Sequence, residues 1–165
     1  MLTLTDALIR DSFVNASKGD AKRATLPDLD ALDFERLDYL GWQDAKRPRL
    51  HYVSLELDGQ VATLMLRGAE NAPTKKMLCA WCEDIVDGVH AASFVAPLGG
   101  ASGRRGNSVG TSVCADFRCS RNVRRAPSSF ELRTEDPALL AYHQEQKIAG
   151  LRERSAAFVR AVANG

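Results

Sequence analysis

The stretch that decides the fold carries two close cysteine pairs, in MLCAWC at residues 77–82 and in VCADFRCS at residues 113–120. Two residues separate the first pair, four separate the second, and 31 residues lie between the pairs. Each pair can supply two thiolates from one tight turn, and folding can bring the pairs together around a tetrahedral Zn²⁺ ion. The spacing therefore predicts one structural zinc, held by Cys79, Cys82, Cys114 and Cys119.

Two other interpretations of the cysteines stay open at this stage. The four thiols could be unligated core residues, or Cys79-Ala80-Trp81-Cys82 could be a thioredoxin-like dithiol. A redox dithiol needs a strand-to-helix setting in a βαβ unit, whereas EDIVDG at residues 83–88 favours a strand or a turn. Four thiolates around one zinc leave no position for water or substrate, so no catalytic residue is expected. The three histidines, His51, His90 and His143, are then surplus as ligands.

A β-hairpin is predicted on the N-terminal side of the first cysteine pair. Residues 51–57 and 60–67 are rich in Val, Leu, Tyr and Thr, and they are joined by Asp58-Gly59, which favours a tight two-residue turn. Further short strands are expected at 77–78, 84–86, 92–98 and 110–113, with a mobile glycine-rich loop at 99–107. A short helix is expected to begin at Cys119. A cysteine knuckle, a hairpin and a helix bearing the second pair together make a treble clef.

Helices are predicted at both ends of the chain. Residues 3–16 have the spacing of a short helix that Thr3 or Thr5 caps and residues 17–20 end, and Asp33 could cap a turn or two ending at Gly41. The C-terminal helix is expected from Asp136-Pro137 to about residue 163, with a possible break at Gly150. The fold class is therefore α+β: a small antiparallel sheet with a treble-clef zinc finger, short N-terminal helices and a long C-terminal helix. We expect a single domain, 1–165, divided into a helical segment (1–45), the hairpin and finger (46–130) and the C-terminal helix (134–163).

The amino-acid composition is that of a single globular domain. The chain has 165 residues, of which 45% are hydrophobic and 26% charged, and this matches one globular domain rather than a disordered chain. Apolar runs are too short for a membrane helix, and the N-terminus lacks the features of a signal peptide. We therefore expect a cytoplasmic protein with no membrane partner and no small-molecule substrate.

The formal net charge of +1 hides an uneven distribution. Between residues 99 and 133 there are seven arginines and two acids, a local excess of +5, whereas residues 24–44 hold six acids and one base. Those acids are expected to form a solvated face. The arginines could screen the negative charge of a zinc tetrathiolate, Arg118 and Arg121 above all. They could instead present a basic surface to an acidic protein or to RNA phosphates; the candidate partner-binding residues are Arg104, Arg105, Arg121, Arg124 and Arg125.

Three segments together carry a family resemblance: LDYLGWQDAK at residues 37–46, the first cysteine pair, and VCADFRCS at 113–120. With the hairpin they resemble the C-terminal treble-clef domain of the FusB-type elongation factor G-binding proteins. The resemblance implies a mixed α and β domain in which the four cysteines bind zinc. It also implies binding to elongation factor G, release of that factor from ribosomes stalled by fusidic acid, and no catalysed reaction. In resistance proteins of this type a helical bundle precedes the domain, whereas about 47 residues precede the hairpin here.

The sequence thus leaves three hypotheses about function. The first is a non-enzymatic zinc protein that binds elongation factor G or the translating ribosome. The second is a general RNA-binding zinc module, including one that contacts ribosomal RNA, whose arginines contact phosphates. The third is a thiol oxidoreductase, which would require reactive and accessible cysteines.

Overall fold

An antiparallel sheet of five strands organises the part of the chain that the computed structural model describes, which is residues 1–68, 77–84, 90–129 and 131–165. The strands are adjacent in chain order, so each pairs with the next. Their bounds are β1 Leu40–Gln43, β2 Leu50–Leu57, β3 Gln60–Gly68, β4 Ala91–Pro97 and β5 Ser108–Cys114. The strands expected at 92–98 and 110–113 are confirmed as β4 and β5, each one or two residues different at its ends.

The predicted hairpin is confirmed as β2 and β3. Its two turn residues, Asp58 and Gly59, have φ angles of 51° and 79°, the left-handed values that a tight hairpin turn requires at both central positions. The register pairs Leu57 with Gln60 and continues without interruption to Leu50 opposite Arg67. This central pair of strands is the frame on which both halves of the core are built.

The two faces of the sheet bury different parts of the chain. Val53 and Leu64 point into the larger core, which also holds the cysteines and the buried face of the C-terminal helix. Their sequence neighbours Tyr52 and Met65 point to the other face, into a second core formed with the N-terminal segment. Because side chains alternate across a strand, apolar residues on both faces produce a strand covered on two sides.

Five helices lie around the sheet in the described residues: α1 Asp6–Asp11, α2 Lys18–Arg23, α3 Gly100–Arg104, α4 Cys119–Asn122 and α5 Pro137–Ala163. The single N-terminal helix predicted for residues 3–16 is wrong, because Thr5 caps α1 and Ser17 begins a second helix instead of ending the first. The Ser17 side chain accepts a hydrogen bond from the Asp20 backbone nitrogen at 3.0 Å, which is an N-cap contact.

The segment around Gly41 also differs from its prediction. Asp33 does cap a turn, a 3₁₀ helix over Phe34–Arg36, but that turn ends at Leu37 and Gly41 lies inside β1. A side chain at Gly41 would overlap the ring of Phe117, which packs directly against the strand. Glycine is therefore needed here for close packing of β1 on the cysteine segment rather than for ending a helix.

The glycine-rich segment 99–107, predicted as a mobile loop, contains the helix α3 instead. Gly100 and Gly106 have φ angles of 60° and 91°, and a side chain at Gly103 would overlap the Leu98 carbonyl oxygen. The glycines therefore permit one compact turn, with the N–H of Gly99 bonded to the carbonyl of Val162 in α5 at 2.7 Å.

The remaining expectations concern the finger and the C-terminal helix. No strand forms at 77–78, and of the strand expected at 84–86, residues 85 and 86 lie outside the described residues. The helices expected to begin at Cys119 and after Asp136 are confirmed as α4 and α5, and α5 continues through Gly150 without a break. Across the described ranges, no helix combines the length and apolar character needed to cross a membrane.

Candidate metal centre

The first cysteine pair lies on a tight turn held against the edge of the sheet. The backbone nitrogen of Ala80 donates to the carbonyl of Ser112 in β5 at 2.7 Å, and the nitrogen of Glu83 donates to the Cys79 carbonyl at 2.9 Å. Glu83, directly after Cys82, has a φ of 55°, which turns the chain back sharply. The turn places both sulfur atoms on the same side of the segment.

The second pair spans the end of a strand and the start of a helix. Cys114 is the last residue of β5 and Cys119 is the first residue of α4. Between them Phe117 has a φ of 57° and its nitrogen donates to the Cys114 carbonyl at 2.9 Å. The four-residue spacing therefore accommodates a complete turn, with Phe117 packed on Gly41, before the helix begins.

The four sulfur atoms meet in one cluster. All lie within 4.8 Å of one another, with 3.6 Å between the sulfurs of Cys79 and Cys119 and 3.5 Å between those of Cys82 and Cys114. A disulfide would bring two sulfurs to about 2.0 Å, whereas a tetrahedron with Zn–S bonds of about 2.3 Å separates them by about 3.8 Å. The four cysteines are unpaired and at most 1% exposed. Their geometry thus fits a single tetrahedral zinc ion.

The repulsion among four closely spaced buried thiolates also favours a bound cation. Hydrogen bonds from the thiols of Cys114, Cys119 and Cys82 lower the pKa of Cys79, whereas hydrogen bonding with its neighbours and burial raise the pKa of Cys119. Four buried thiols this close cannot all ionise without a positive charge among them. A bound Zn²⁺ supplies that charge and leaves the tetrathiolate with a net charge of −2.

Backbone and side-chain groups around the sulfurs complete their surroundings. The backbone nitrogen of Cys82 donates to the Cys79 sulfur and the side-chain amide of Asn122 donates to the Cys114 sulfur, each at 3.4 Å. The Tyr39 hydroxyl, on the segment leading into β1, lies beside the thiol of Cys119, and burial together with that thiol raises the pKa of Tyr39 well above its ordinary value. Such outer contacts orient metal ligands and balance their charge.

This arrangement is structural rather than catalytic. Four thiolates close the coordination sphere, so no position remains for water or a substrate. Burial of all four sulfurs does not favour the thiol oxidoreductase hypothesis, since a reactive thiolate must be reached by its target. What the site can supply is folding energy, because it joins a turn, a strand and a helix that are distant in the sequence.

The predicted partner-binding arginines fall into two groups. Arg124 and Arg125 form intramolecular ion pairs, Arg124 with Asp38, and Arg125 with Asp84 and Glu131 at 2.9 Å each. By contrast Arg104 and Arg105, on and after α3, and Arg121, on α4, are exposed and form no ion pair within the described ranges. Of these five arginines, a partner could bind Arg104, Arg105 and Arg121 without breaking an internal ion pair.

One structural residue that sequence reasoning misplaced is Asp38. The acids of residues 24–44 were predicted to form a solvated face, which is wrong for Asp38 and Asp44, whose side chains are fully buried. The Asp38 carboxylate accepts from Arg124 at 3.1 Å and from Arg152 of α5 at 2.8 Å, while its backbone nitrogen donates to the Ser120 hydroxyl at 2.9 Å. It thereby joins the N-terminal segment, the finger and α5. The position of Asp38 between the apolar residues Leu37 and Tyr39 was the feature of the sequence that could have indicated its burial.

The fold and the cysteine cluster define this chain as a treble-clef zinc-finger protein. It belongs to the family described as FBP C-terminal treble-clef zinc-finger, whose model matches residues 8–162. The match confirms the family resemblance of the cysteine segments, and with the sulfur geometry it establishes one structural zinc as the cofactor.

Comparison with individual proteins adds one solved structure. The fusidic acid resistance protein FusC is similar to this chain with 22% sequence identity and a TM-score of 0.49. The similarity covers 61% of this chain and 46% of the FusC chain, so it spans less than half the length of that protein. No match was found among curated protein sequences.

Proposed function

We propose that this protein is a non-enzymatic zinc protein of the cytoplasm that binds elongation factor G and promotes its release from the ribosome. The observation that carries the proposal is membership of the FBP family over residues 8–162. The closed four-cysteine centre supports a binding role, because it stabilises a surface and offers no site for chemistry.

The uncovered side of β4 and β5 is the surface that best suits a protein partner. Val95 on β4 is 43% exposed and pairs in register with Arg67 of β3. Arg104 ends α3 and Arg105 follows it, in the connection between β4 and β5. An exposed valine near unpaired arginines combines apolar and cationic groups as protein-protein interfaces do, where arginine is enriched.

The proposal is tested by measuring the affinity of the purified protein for elongation factor G. We expect Arg104→Glu combined with Arg105→Glu to raise the Kd about tenfold or more, since two charge reversals at an interface oppose an acidic partner. The matched control is Lys18→Glu with Lys22→Glu, two reversals on α2 at exposed positions, which should bind like the wild type. Wild-type protein that shows no affinity for the factor would refute the proposal.

Salt dependence separates this function from general RNA binding. Phosphate contacts release counterions, so an RNA-binding surface with several of them loses about three orders of magnitude in affinity between 50 and 200 mM salt. A protein interface with an apolar centre is expected to weaken much less over the same range. Binding to a ribosomal RNA fragment with the steep slope, and not to the factor, would favour the RNA module.

A further inference from the structure

A cleft of about 650 Å³ lies between the N-terminal segment and the zinc finger. One wall comes from residues 31–41, including the 3₁₀ turn, and the other from residues 116–125, including α4. We call it the finger cleft. Leu32, Leu37, Leu40 and Phe117 contribute to its lining, most of which is apolar. None of its described lining residues belongs to β4 or β5.

Guanidinium groups border the finger cleft on both walls. Arg36 projects from the 3₁₀ turn and Arg121 from α4; both are exposed, and neither forms an ion pair in the part of the chain that the structure describes. The three other arginines of the lining are neutralised internally, Arg118 by Asp116 at 3.1 Å, and Arg124 and Arg125 by the buried carboxylates already described. The available guanidinium groups therefore stand on both walls of a largely apolar space, whose lining also includes the carboxylate of Asp33.

The chemistry of the finger cleft fits a protein segment better than a nucleic acid. A polyanion is held by many uncompensated cations, each releasing a counterion, whereas only Arg36 and Arg121 are uncompensated here. Leucine and phenylalanine side chains favour an aliphatic or aromatic side chain over the polar edges of a base. Arginine on each wall favours carboxylates beside that side chain, since the guanidinium binds them in a bidentate manner.

We propose that the finger cleft binds a segment of the partner protein in which a large apolar side chain lies next to one or two carboxylates. The inference rests on the proposed function, because the partner is taken to be elongation factor G. It adds a second docking position, whose described lining residues lie outside β4 and β5, and assigns Arg36 and Arg121 as its specificity-determining residues.

The test compares charge reversal at the finger cleft with charge reversal elsewhere. Arg36→Glu combined with Arg121→Glu is expected to raise the Kd for purified elongation factor G about tenfold or more, with zinc content unchanged. The control pair, Lys18→Glu with Lys22→Glu, should bind normally. If the double reversal fails to fold, Arg36→Gln with Arg121→Gln removes the charge with less disturbance and should still weaken binding about threefold or more.

Each result of this comparison decides the inference. Unchanged affinity in both cleft variants, while wild-type protein binds, overturns the docking position and leaves the proposed function intact. Absence of wild-type binding refutes the function and the inference together. A reversal that abolishes binding to a ribosomal RNA fragment, but not to the factor, also overturns the inference, because the cleft would then be a nucleic-acid site.

A second inference concerns the Tyr39 hydroxyl and stands on a different observation. Tyr39 is 1% exposed, and its ring packs edge-on against Trp81 with 5.1 Å between ring centres. The hydroxyl oxygen has no hydrogen-bond partner in the described residues, although buried hydroxyls are nearly always hydrogen-bonded. The Cys119 thiol is a neighbour of this hydroxyl in the same buried core, which also holds Cys79 and Cys114.

The sulfur of Cys119 is the acceptor that this hydroxyl lacks. Cys79 and Cys114 each receive an N–H donor, from Cys82 and Asn122, whereas no nitrogen donor reaches the Cys119 sulfur within the described ranges. A zinc-bound thiolate carries negative charge and accepts hydrogen bonds readily. We infer that Tyr39 donates to the Cys119 thiolate of the zinc-loaded protein, so that the N-terminal segment helps to position a ligand of the finger.

Tyr39→Phe tests the hydrogen bond while keeping the ring in place. We expect zinc release to a chelator to become about tenfold faster, the effect typical of losing an outer contact to a metal ligand. In Co²⁺-loaded protein the sulfur-to-cobalt charge-transfer band should move to lower energy, because the thiolate loses a donor. Tyr52→Phe is the matched control, since the Tyr52 hydroxyl is also buried but bonds to Asp44 at 3.0 Å. Wild-type release and spectrum in Tyr39→Phe, or equal shifts in both variants, would overturn the inference.

Discussion

Replacing Cys114 with serine is expected to leave the chain without tightly bound zinc and largely unfolded at 25 °C. A structural zinc contributes apparent binding free energies of about 10–16 kcal/mol, whereas the whole free energy of unfolding of a domain is about 5–15 kcal/mol. Cys114 ends β5 and receives the Asn122 amide, so its sulfur connects the sheet, the turn at Cys79–Cys82 and α4. Without that ligand, the zinc site no longer links the sheet, the turn and α4.

Zinc content and thermal unfolding measured by circular dichroism check this expectation together. Ser112→Ala is the control, two residues earlier on the same strand, where the side chain donates only to the Leu78 carbonyl. It should keep one equivalent of zinc and a Tm close to that of the wild type. A Cys114→Ser protein with a full equivalent of zinc and an unchanged Tm would contradict the assignment of this ligand, as would a wild-type protein purified under reducing conditions without zinc.

Asp38→Asn is expected to lower the free energy of unfolding by about 3 kcal/mol, near the lower end of the range for removing one partner from a buried ion pair. The amide keeps the shape and some hydrogen bonds but leaves the guanidiniums of Arg124 and Arg152 without a counter-charge. For a domain of this size the change corresponds to a fall in Tm of roughly 6–12 °C. Asp30→Asn, at an exposed position of the same segment, is the control and should unfold like the wild type. A Tm within 2 °C of the wild-type value, which corresponds to a change of about 1 kcal/mol in the free energy of unfolding, would contradict a structural role for Asp38.

The same residue makes stability depend on pH. Burial raises the pKa of Asp38, but hydrogen bonds from Arg124 and Arg152 lower it further than burial raises it, so its folded pKa lies below the unfolded value of about 3.9. The stabilisation is therefore complete well above the unfolded pKa and is lost as the pH falls through the folded one. The difference in unfolding free energy between wild type and Asp38→Asn should shrink from about pH 5 downward. Zinc loss in acid affects both proteins, so this difference, and not the absolute stability, is the quantity to measure.

Local patterns in the sequence predicted the elements that local chemistry specifies. Asp58-Gly59 determines the hairpin because both positions take left-handed φ values, and Asp136-Pro137 determines the start of α5 because the carboxylate caps the helix. The spacing of Cys79, Cys82, Cys114 and Cys119 predicted the zinc centre for a similar reason: each pair is held by one turn, and thiolates have few other reasons to cluster. In each case the information lies within a few residues of the feature.

Tertiary structure decided which charges are buried and which remain free. The carboxylate of Asp38 is 86 residues from Arg124 and 114 from Arg152 along the chain, so no local pattern distinguishes it from solvated Asp30. The same contacts occupy Arg124 while leaving Arg121, three residues earlier on the finger, available to a partner. The cysteine spacing by itself thus favoured a zinc finger, whereas the surface that the finger offers was decided only when the N-terminal segment and α5 folded against it. Ion pairing depends on distance in space, and the sequence carries that distance only through the complete fold.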